Sequence, residues 1–108
     1  NLVLGIIGGG QLGSLLSIAA KKINNKTVVF SNDHDAPAKN FSDKFIFGNY
    51  EDQELINQFT NLTDIITYEF ENIPYEVLKI INKIKPVHPK PSINKIIDGK
   101  EHDYTRFK

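Results

Sequence analysis

Six residues, 8–13, carry the strongest signal for chemistry in this chain: they read Gly-Gly-Gly-Gln-Leu-Gly, directly after an apolar run and before a helical pattern. Glycines between a strand and a helix let the backbone turn sharply and approach a ligand closely, because no Cβ intervenes. The following helix directs its free N–H groups and positive dipole end at this glycine turn. The segment therefore predicts an anion site, with a phosphorylated small molecule as its ligand.

The glycine spacing matches G-x-G-x-x-G through Gly8, Gly10 and Gly13. By itself this spacing leaves three interpretations open: a dinucleotide cofactor, another phosphorylated ligand, or a tight turn that only packs a helix against a sheet. A dinucleotide site also wants an acidic residue at the tip of the second strand, where Asp33 is available but displaced. No G-K-[ST] ending follows, so the turn is not a P-loop for ATP phosphates.

A second stretch, residues 68–72, reads Tyr-Glu-Phe-Glu-Asn and follows the fourth predicted strand. Ligands of open α/β sheets bind at this rim. In an extended chain Glu69 and Glu71 point to the same side. Two carboxylates beside an anion site suit a ligand that carries hydroxyls or an amine in addition to phosphate. The alternative interpretation is that Glu71 only begins the next helix.

The rest of the sequence shows no pattern typical of a metal site, a catalytic centre or a nucleic-acid or membrane interface. His34, His88 and His102 lack the spacing of metal ligands, and we expect them in loops or on the surface. Cysteine is absent, the formal net charge is zero, and basic and acidic residues are interspersed. These features give no indication of a nucleic-acid or membrane partner. We predict no catalytic residue and no metal site within the chain.

Segments rich in β-branched residues alternate with amphipathic ones along the whole sequence, which is typical of βαβ units. The pattern predicts one α/β domain with a mainly parallel sheet. The predicted strands cover residues 2–7, 26–30, 44–47, 64–68 and 86–88. The predicted helices cover residues 11–23, 51–59, 74–84, 92–97 and 101–108. The first helix carries a single apolar stripe: Leu12, Leu15, Leu16, Ala19, Ala20 and Ile23.

Three segments together closely resemble the N-terminal domain of the N5-carboxyaminoimidazole ribonucleotide synthetases, a family of the ATP-grasp superfamily. They are Gly-Ile-Ile-Gly-Gly-Gly-Gln-Leu-Gly at 5–13, Asp-Ala-Pro-Ala at 35–38 and Thr-Tyr-Glu-Phe-Glu-Asn-Ile-Pro at 67–74. The resemblance runs over essentially the whole chain. It implies a Rossmann-like pre-ATP-grasp domain with helices on both faces of the sheet, and ATP-grasp and C-terminal domains that this chain lacks.

The resemblance also implies an activity. The family uses ATP with Mg²⁺ to activate bicarbonate and carboxylate 5-aminoimidazole ribonucleotide in purine biosynthesis, as a cytoplasmic protein that is commonly a homodimer. It implies that Gly10, Gln11 and Leu12 contact this ribonucleotide. Glu69 is expected to bind its ribose or phosphoribosyl part, with Glu71 as a second substrate-binding residue. Lys100 stands where relatives place an ATP-contacting Arg, and a Lys supplies the charge without the bidentate fork.

Two rival functions share the glycine turn. One is an NAD-binding module, against which the displaced Asp33 argues. The other is a related ATP-grasp enzyme acting on glycinamide ribonucleotide; because such enzymes usually carry Glu where Gln11 stands, Gln11 and Phe70 favour the imidazole substrate. Since the family's catalytic residues lie in later domains, we expect the 108-residue chain alone to be inactive.

Overall fold

Strands and helices alternate in the computed structural model, which describes residues 2–69 and 73–89. The elements in chain order are β1 (Val3–Ile7), α1 (Gln11–Lys22), β2 (Lys26–Ser31), β3 (Lys44–Phe47), α2 (Gln53–Leu62), β4 (Ile65–Tyr68) and α3 (Tyr75–Asn82). A 3-10 turn, Pro37–Asn40, separates β2 from β3. The predicted α/β alternation is confirmed, whereas the helices predicted over 92–97 and 101–108 lie outside the described residues.

The sheet is parallel and its strands lie in the order β3-β2-β1-β4. Val87 adds a parallel bridge to Ile66, at the place where the sequence predicts a minimal last strand. The chain leaves β1 toward β2 on one side and later returns to place β4 on the other. This reversal of strand order opens a crevice at the carboxyl ends of β1 and β4, which is where open α/β sheets bind ligands.

Alternating side chains of the sheet feed two apolar clusters. Ile7, Phe30 and Tyr68 face one side, together with residues of α2 and α3 such as Phe59 and Leu78. The opposite face is smaller and is built from Ile6, Val29, Ala38, Leu4, Leu16 and Phe45. The expectation of helices on both faces is therefore confirmed, with α1 and the 3-10 turn on the second face.

Helix α1 packs on the sheet through only part of its apolar stripe, namely Leu16 and Ala20. Its buried residues are small: Gly13, Ser14, Ser17 and Ala20. Leu12 and Leu15 of the stripe are 46% and 60% exposed. The reason is close approach, because a Cβ at Gly13 would lie 3.1 Å from the Gly8 carbonyl oxygen and 3.3 Å from the Ala38 Cβ. Only small side chains fit against the sheet at that separation.

Candidate functional site

Backbone hydrogen bonds fix the shape of the glycine turn. Gly8 has a φ of 102°, in the region that favours glycine, and its N–H donates to the Phe30 carbonyl at 2.8 Å. The Gly9 carbonyl accepts from the Ala38 N–H at 2.9 Å. Gly10 is the N-cap of α1 and brings no side chain to cap it. The first turn of α1 therefore begins directly at the carboxyl edge of the sheet.

Glu69, the residue that directly follows β4, supplies the missing cap. Its backbone N–H donates to the Ile7 carbonyl at 3.0 Å, which aligns the end of β4 with the end of β1. Its Oε2 accepts hydrogen bonds from the N–H groups of Gly10 at 2.9 Å and Gly13 at 3.1 Å. One carboxylate oxygen thus satisfies two of the four free N–H groups of the helix, at the positive end of its dipole.

The three motif glycines make room for this carboxylate. A Cβ at Gly10 would lie 2.8 Å from the Glu69 Oε1, and one at Gly8 would lie 3.2 Å from the Glu69 Cβ and Cγ. A Cβ at Gly13 would lie 3.4 Å from Oε2. In this chain the G-x-G-x-x-G spacing therefore has an internal explanation. It lets a protein carboxylate occupy the inner part of the anion site that the sequence predicts.

A cavity of about 170 Å³ opens beside the glycine turn and Glu69. A second cavity of about 500 Å³ shares the walls formed by Asn32 and Tyr50. The first cavity is lined by Gly8, Gly9, Gly10, Ser31, Asn32, Asp33, Ala36, Pro37, Tyr50 and Glu69. The second is lined by Asn32, Phe47, Gly48, Asn49, Tyr50, Glu51 and Pro74. Together they follow the carboxyl edge of the sheet.

Tyr50 is a cavity residue that the sequence analysis missed. Its ring is buried and packs edge-on against Phe30, with the ring centroids 5.3 Å apart. Burial raises the pKa of the Tyr50 phenol, and the carboxylates of Glu69 and Asp33 raise it further, while contacts with Ser31 and with the Asn32 backbone lower it. Its place in the chain could have identified it, because Tyr50 follows β3 by three residues and the carboxyl ends of parallel strands are where ligands bind.

Of the predicted site residues, the structure brings Gly10, Gln11, Leu12 and Glu69 together at this edge, and Gln11 and Leu12 are both exposed. Their roles as substrate contacts stay predictions. Glu71, Lys100 and His102 lie outside the described residues. His34 and His88 are exposed, as the sequence predicts.

Residues 2–69 and 73–89 were also searched for a metal site and for a membrane-spanning helix. No group of three His, Asp or Glu side chains in this part of the chain is arranged to hold a metal ion. No helix there has both the length and the apolar character that a membrane span requires.

An open parallel α/β sheet, with a glycine turn and a carboxylate where the strand order reverses, places the chain in the class of doubly wound α/β domains. Comparison with known families makes the assignment specific. Residues 2–98 match the family described as "Ribonucleotide synthetase preATP-grasp domain". The chain belongs to that family.

Similar proteins agree with this family. An N5-carboxyaminoimidazole ribonucleotide synthase of Staphylococcus epidermidis is 42% identical over 81 residues, which are 75% of this chain and 22% of the relative. The crystal structure of the Thermotoga maritima synthetase is 31% identical with a TM-score of 0.84, covering 99% of this chain and 30% of that one. An Aspergillus clavatus synthase, in complex with ADP and 5-aminoimidazole ribonucleotide, is 26% identical with a TM-score of 0.77, covering 90% and 26%. The chain thus spans about a fifth of the length of the first relative.

Proposed function

We propose that this chain is the substrate-side domain of an N5-carboxyaminoimidazole ribonucleotide synthetase, an ATP-grasp carbon–nitrogen ligase of purine biosynthesis. The intact protein uses ATP and bicarbonate to carboxylate the exocyclic amine of 5-aminoimidazole ribonucleotide. The observation that carries the proposal is the Glu69 carboxylate, held on Gly10 and Gly13 at a cavity in a chain of this family. The Aspergillus relative, whose structure contains that ribonucleotide, supports the choice of substrate.

Glu69 binds the ribose in this proposal. Its Oε2 is engaged with the glycine turn, and its Oε1 is the oxygen that a Cβ at Gly10 would meet first. A ribose hydroxyl donating to a carboxylate oxygen forms a charge-assisted hydrogen bond, which is stronger than one between neutral groups. Glu69 therefore holds α1 and the sugar with one side chain, with Glu71 proposed as a second contact.

The phosphate lies on the outer side of the glycine turn. The amides of Gly10 and Gly13 are engaged with Glu69, so the donors left in the first turn of α1 are those of Gln11 and Leu12. Among the described residues that line the first cavity, Asp33 and Glu69 are acidic and none is Lys or Arg. This charge repels a phosphate from the cavity, so its remaining counter-charge comes from elsewhere in the intact protein.

Nucleotide chemistry is assigned to other parts of the protein. The described residues include no group of His, Asp or Glu side chains arranged to hold a metal ion. We propose that Lys100 contacts ATP, that Mg²⁺ accompanies the nucleotide, and that a later ATP-grasp domain carries the catalytic residues. We also propose a homodimer in the cytoplasm, as the resemblance implies.

The test is ADP release by the intact gene product. We expect release to require both bicarbonate and 5-aminoimidazole ribonucleotide. Release that glycinamide ribonucleotide supports equally well would reassign the chain to the related enzyme. Saturable NAD binding without any ADP release would favour a dinucleotide module, with Asp33 of the first cavity as its ribose partner.

A further inference from the structure

Tyr50 lines both cavities. It lies outside the two segments from which the sequence predicts the site, the glycine turn and the stretch that follows β4. Its ring is anchored by the edge-on contact with Phe30, so the position of the phenol is set by the core. Its hydroxyl forms hydrogen bonds with the Asn32 backbone and the Ser31 side chain, and the carboxylates of Glu69 and Asp33 act on it electrostatically. A core-anchored phenol at a cavity is a fixed, polar contact point.

The protonation state of Tyr50 makes it complementary to Glu69. A phenol with the ordinary pKa of 10.0 is a neutral O–H donor at physiological pH, and burial and the two carboxylates raise the pKa of Tyr50 further. Glu69 and Asp33 are acceptors in their ionised forms. A sugar hydroxyl both donates and accepts, so it can use a carboxylate and a phenol at once, whereas a phosphate cannot donate to the carboxylate when fully ionised.

We propose that Tyr50 is a further substrate-binding residue, whose hydroxyl donates a hydrogen bond to a ribose hydroxyl that in turn lies against Glu69. The identity of the sugar rests on the proposed function. The pair selects a neutral, hydroxyl-bearing group for the first cavity. That cavity, at about 170 Å³, is smaller than the roughly 300–1,000 Å³ of whole-ligand sites, so the rest of the ligand extends beyond it.

The test measures dissociation constants by calorimetry on the intact protein and its Tyr50→Phe variant. The ligands are 5-aminoimidazole ribonucleotide and its 2′-deoxy and 3′-deoxy analogues. A hydrogen bond of ordinary strength predicts that Tyr50→Phe weakens ribonucleotide binding by about 3- to 10-fold. For the analogue that lacks the contacted hydroxyl, the substitution should have no further effect, because two changes to one contact are not additive.

Two controls separate contact from folding. Tyr50→Phe retains the ring against Phe30 and loses only the contacts of the hydroxyl with Ser31 and the Asn32 backbone, so it should still unfold cooperatively, with a Tm lowered by no more than about 4–8 °C at neutral pH. Tyr75→Phe removes a phenol hydroxyl from a residue that lines neither cavity, and its ligand affinity should be unchanged. Equal losses for all three ligands, or no loss for any, overturn the inference. Failure of the wild-type protein to bind the ribonucleotide overturns the proposed function and this inference together.

Discussion

Helices α1 and α2 begin in contrasting ways. Asp52, immediately before α2, accepts hydrogen bonds on Oδ1 from the N–H groups of Glu54 at 3.0 Å and Leu55 at 3.3 Å. Gly10, at the start of α1, has no side chain to offer, and its cap is Glu69, which is 59 residues away along the chain. One helix is capped locally and the other by a neighbouring strand.

The comparison distinguishes the Asp52 cap, which only stabilises α2, from the Glu69 cap, which we propose also binds the ligand. A local cap stabilises its own helix, and the exposed Asp52 lines neither of the two cavities, although its neighbour Glu51 lines the second. The Glu69 cap joins the end of β4 to α1. Because the N-cap residue Gly10 has no side chain, its backbone forms part of the wall of the first cavity. Removing the α2 cap should therefore change stability alone, whereas removing the α1 cap should change stability and ligand binding together.

The largest effect is expected from valine at the two N-cap positions. Gly10→Val places a branched side chain where a Cβ alone would lie 2.8 Å from the Glu69 Oε1, so the carboxylate must leave. We expect ribonucleotide binding to be abolished and the free energy of unfolding to fall by about 2 kcal/mol, with the fold retained. Asp52→Val is the matched control, with a similar loss of cap but normal affinity. Calorimetric binding and urea unfolding measure both, and unchanged binding by Gly10→Val would make the turn purely structural.

The next effect compares the two capping carboxylates directly. Glu69→Ala leaves the partly buried N–H groups of Gly10 and Gly13 without their acceptor and should lower the free energy of unfolding by about 1–3 kcal/mol. Asp52→Ala should lower it by about 1 kcal/mol. Only Glu69→Ala should weaken ribonucleotide binding, by at least about tenfold for a lost charge-assisted contact. Equal binding by the two variants would show that the Glu69 cap has no ligand role.

A smaller effect tests whether Glu69 fills the anion site. When Glu69 is replaced by Ala, the N–H groups of Gly10 and Gly13 become available to an external anion at the helix N-terminus. Inorganic phosphate, compared with chloride at equal ionic strength, should then raise the Tm of Glu69→Ala by about 2–4 °C more than it raises that of the wild type, whose free donors are only the Gln11 and Leu12 amides. Equal stabilisation of both proteins would mean that the Gly10 and Gly13 amides add no phosphate binding when Glu69 is removed.

Local signals in the sequence were enough to predict most of the elements and the strand–turn–helix arrangement at the candidate site, whose binding role stays a prediction. Hydrophobic periodicity and the glycine turn predict β1, α1 and the rim after β4, because each depends on residues close together in the chain. The sequence placed Glu69 near the turn, but the hydrogen bonds from Gly10 and Gly13 to its carboxylate could not be predicted, since they form only once β1 and β4 are paired. The packing face of α1 was predicted only in part, through Leu16 and Ala20, because close approach to the sheet favours Ser17 over Leu15.

The smallest effect concerns Tyr50, the neighbour of the Glu69 cap. Because its folded-state pKa is raised above 10.0, mainly by burial, the neutral phenol is favoured in the folded protein. The resulting contribution to stability is complete below pH 10 and is lost as the pH rises through the folded-state pKa. The measurement is the free energy of unfolding in urea from pH 7 to pH 11. Relative to that of Tyr50→Phe, the free energy of the wild type should fall only at the alkaline end of this range. The control Tyr75→Phe, which retains Tyr50, should show the same fall relative to Tyr50→Phe. A constant difference across the range would mean that the folded-state pKa of Tyr50 is not raised above that of the unfolded chain.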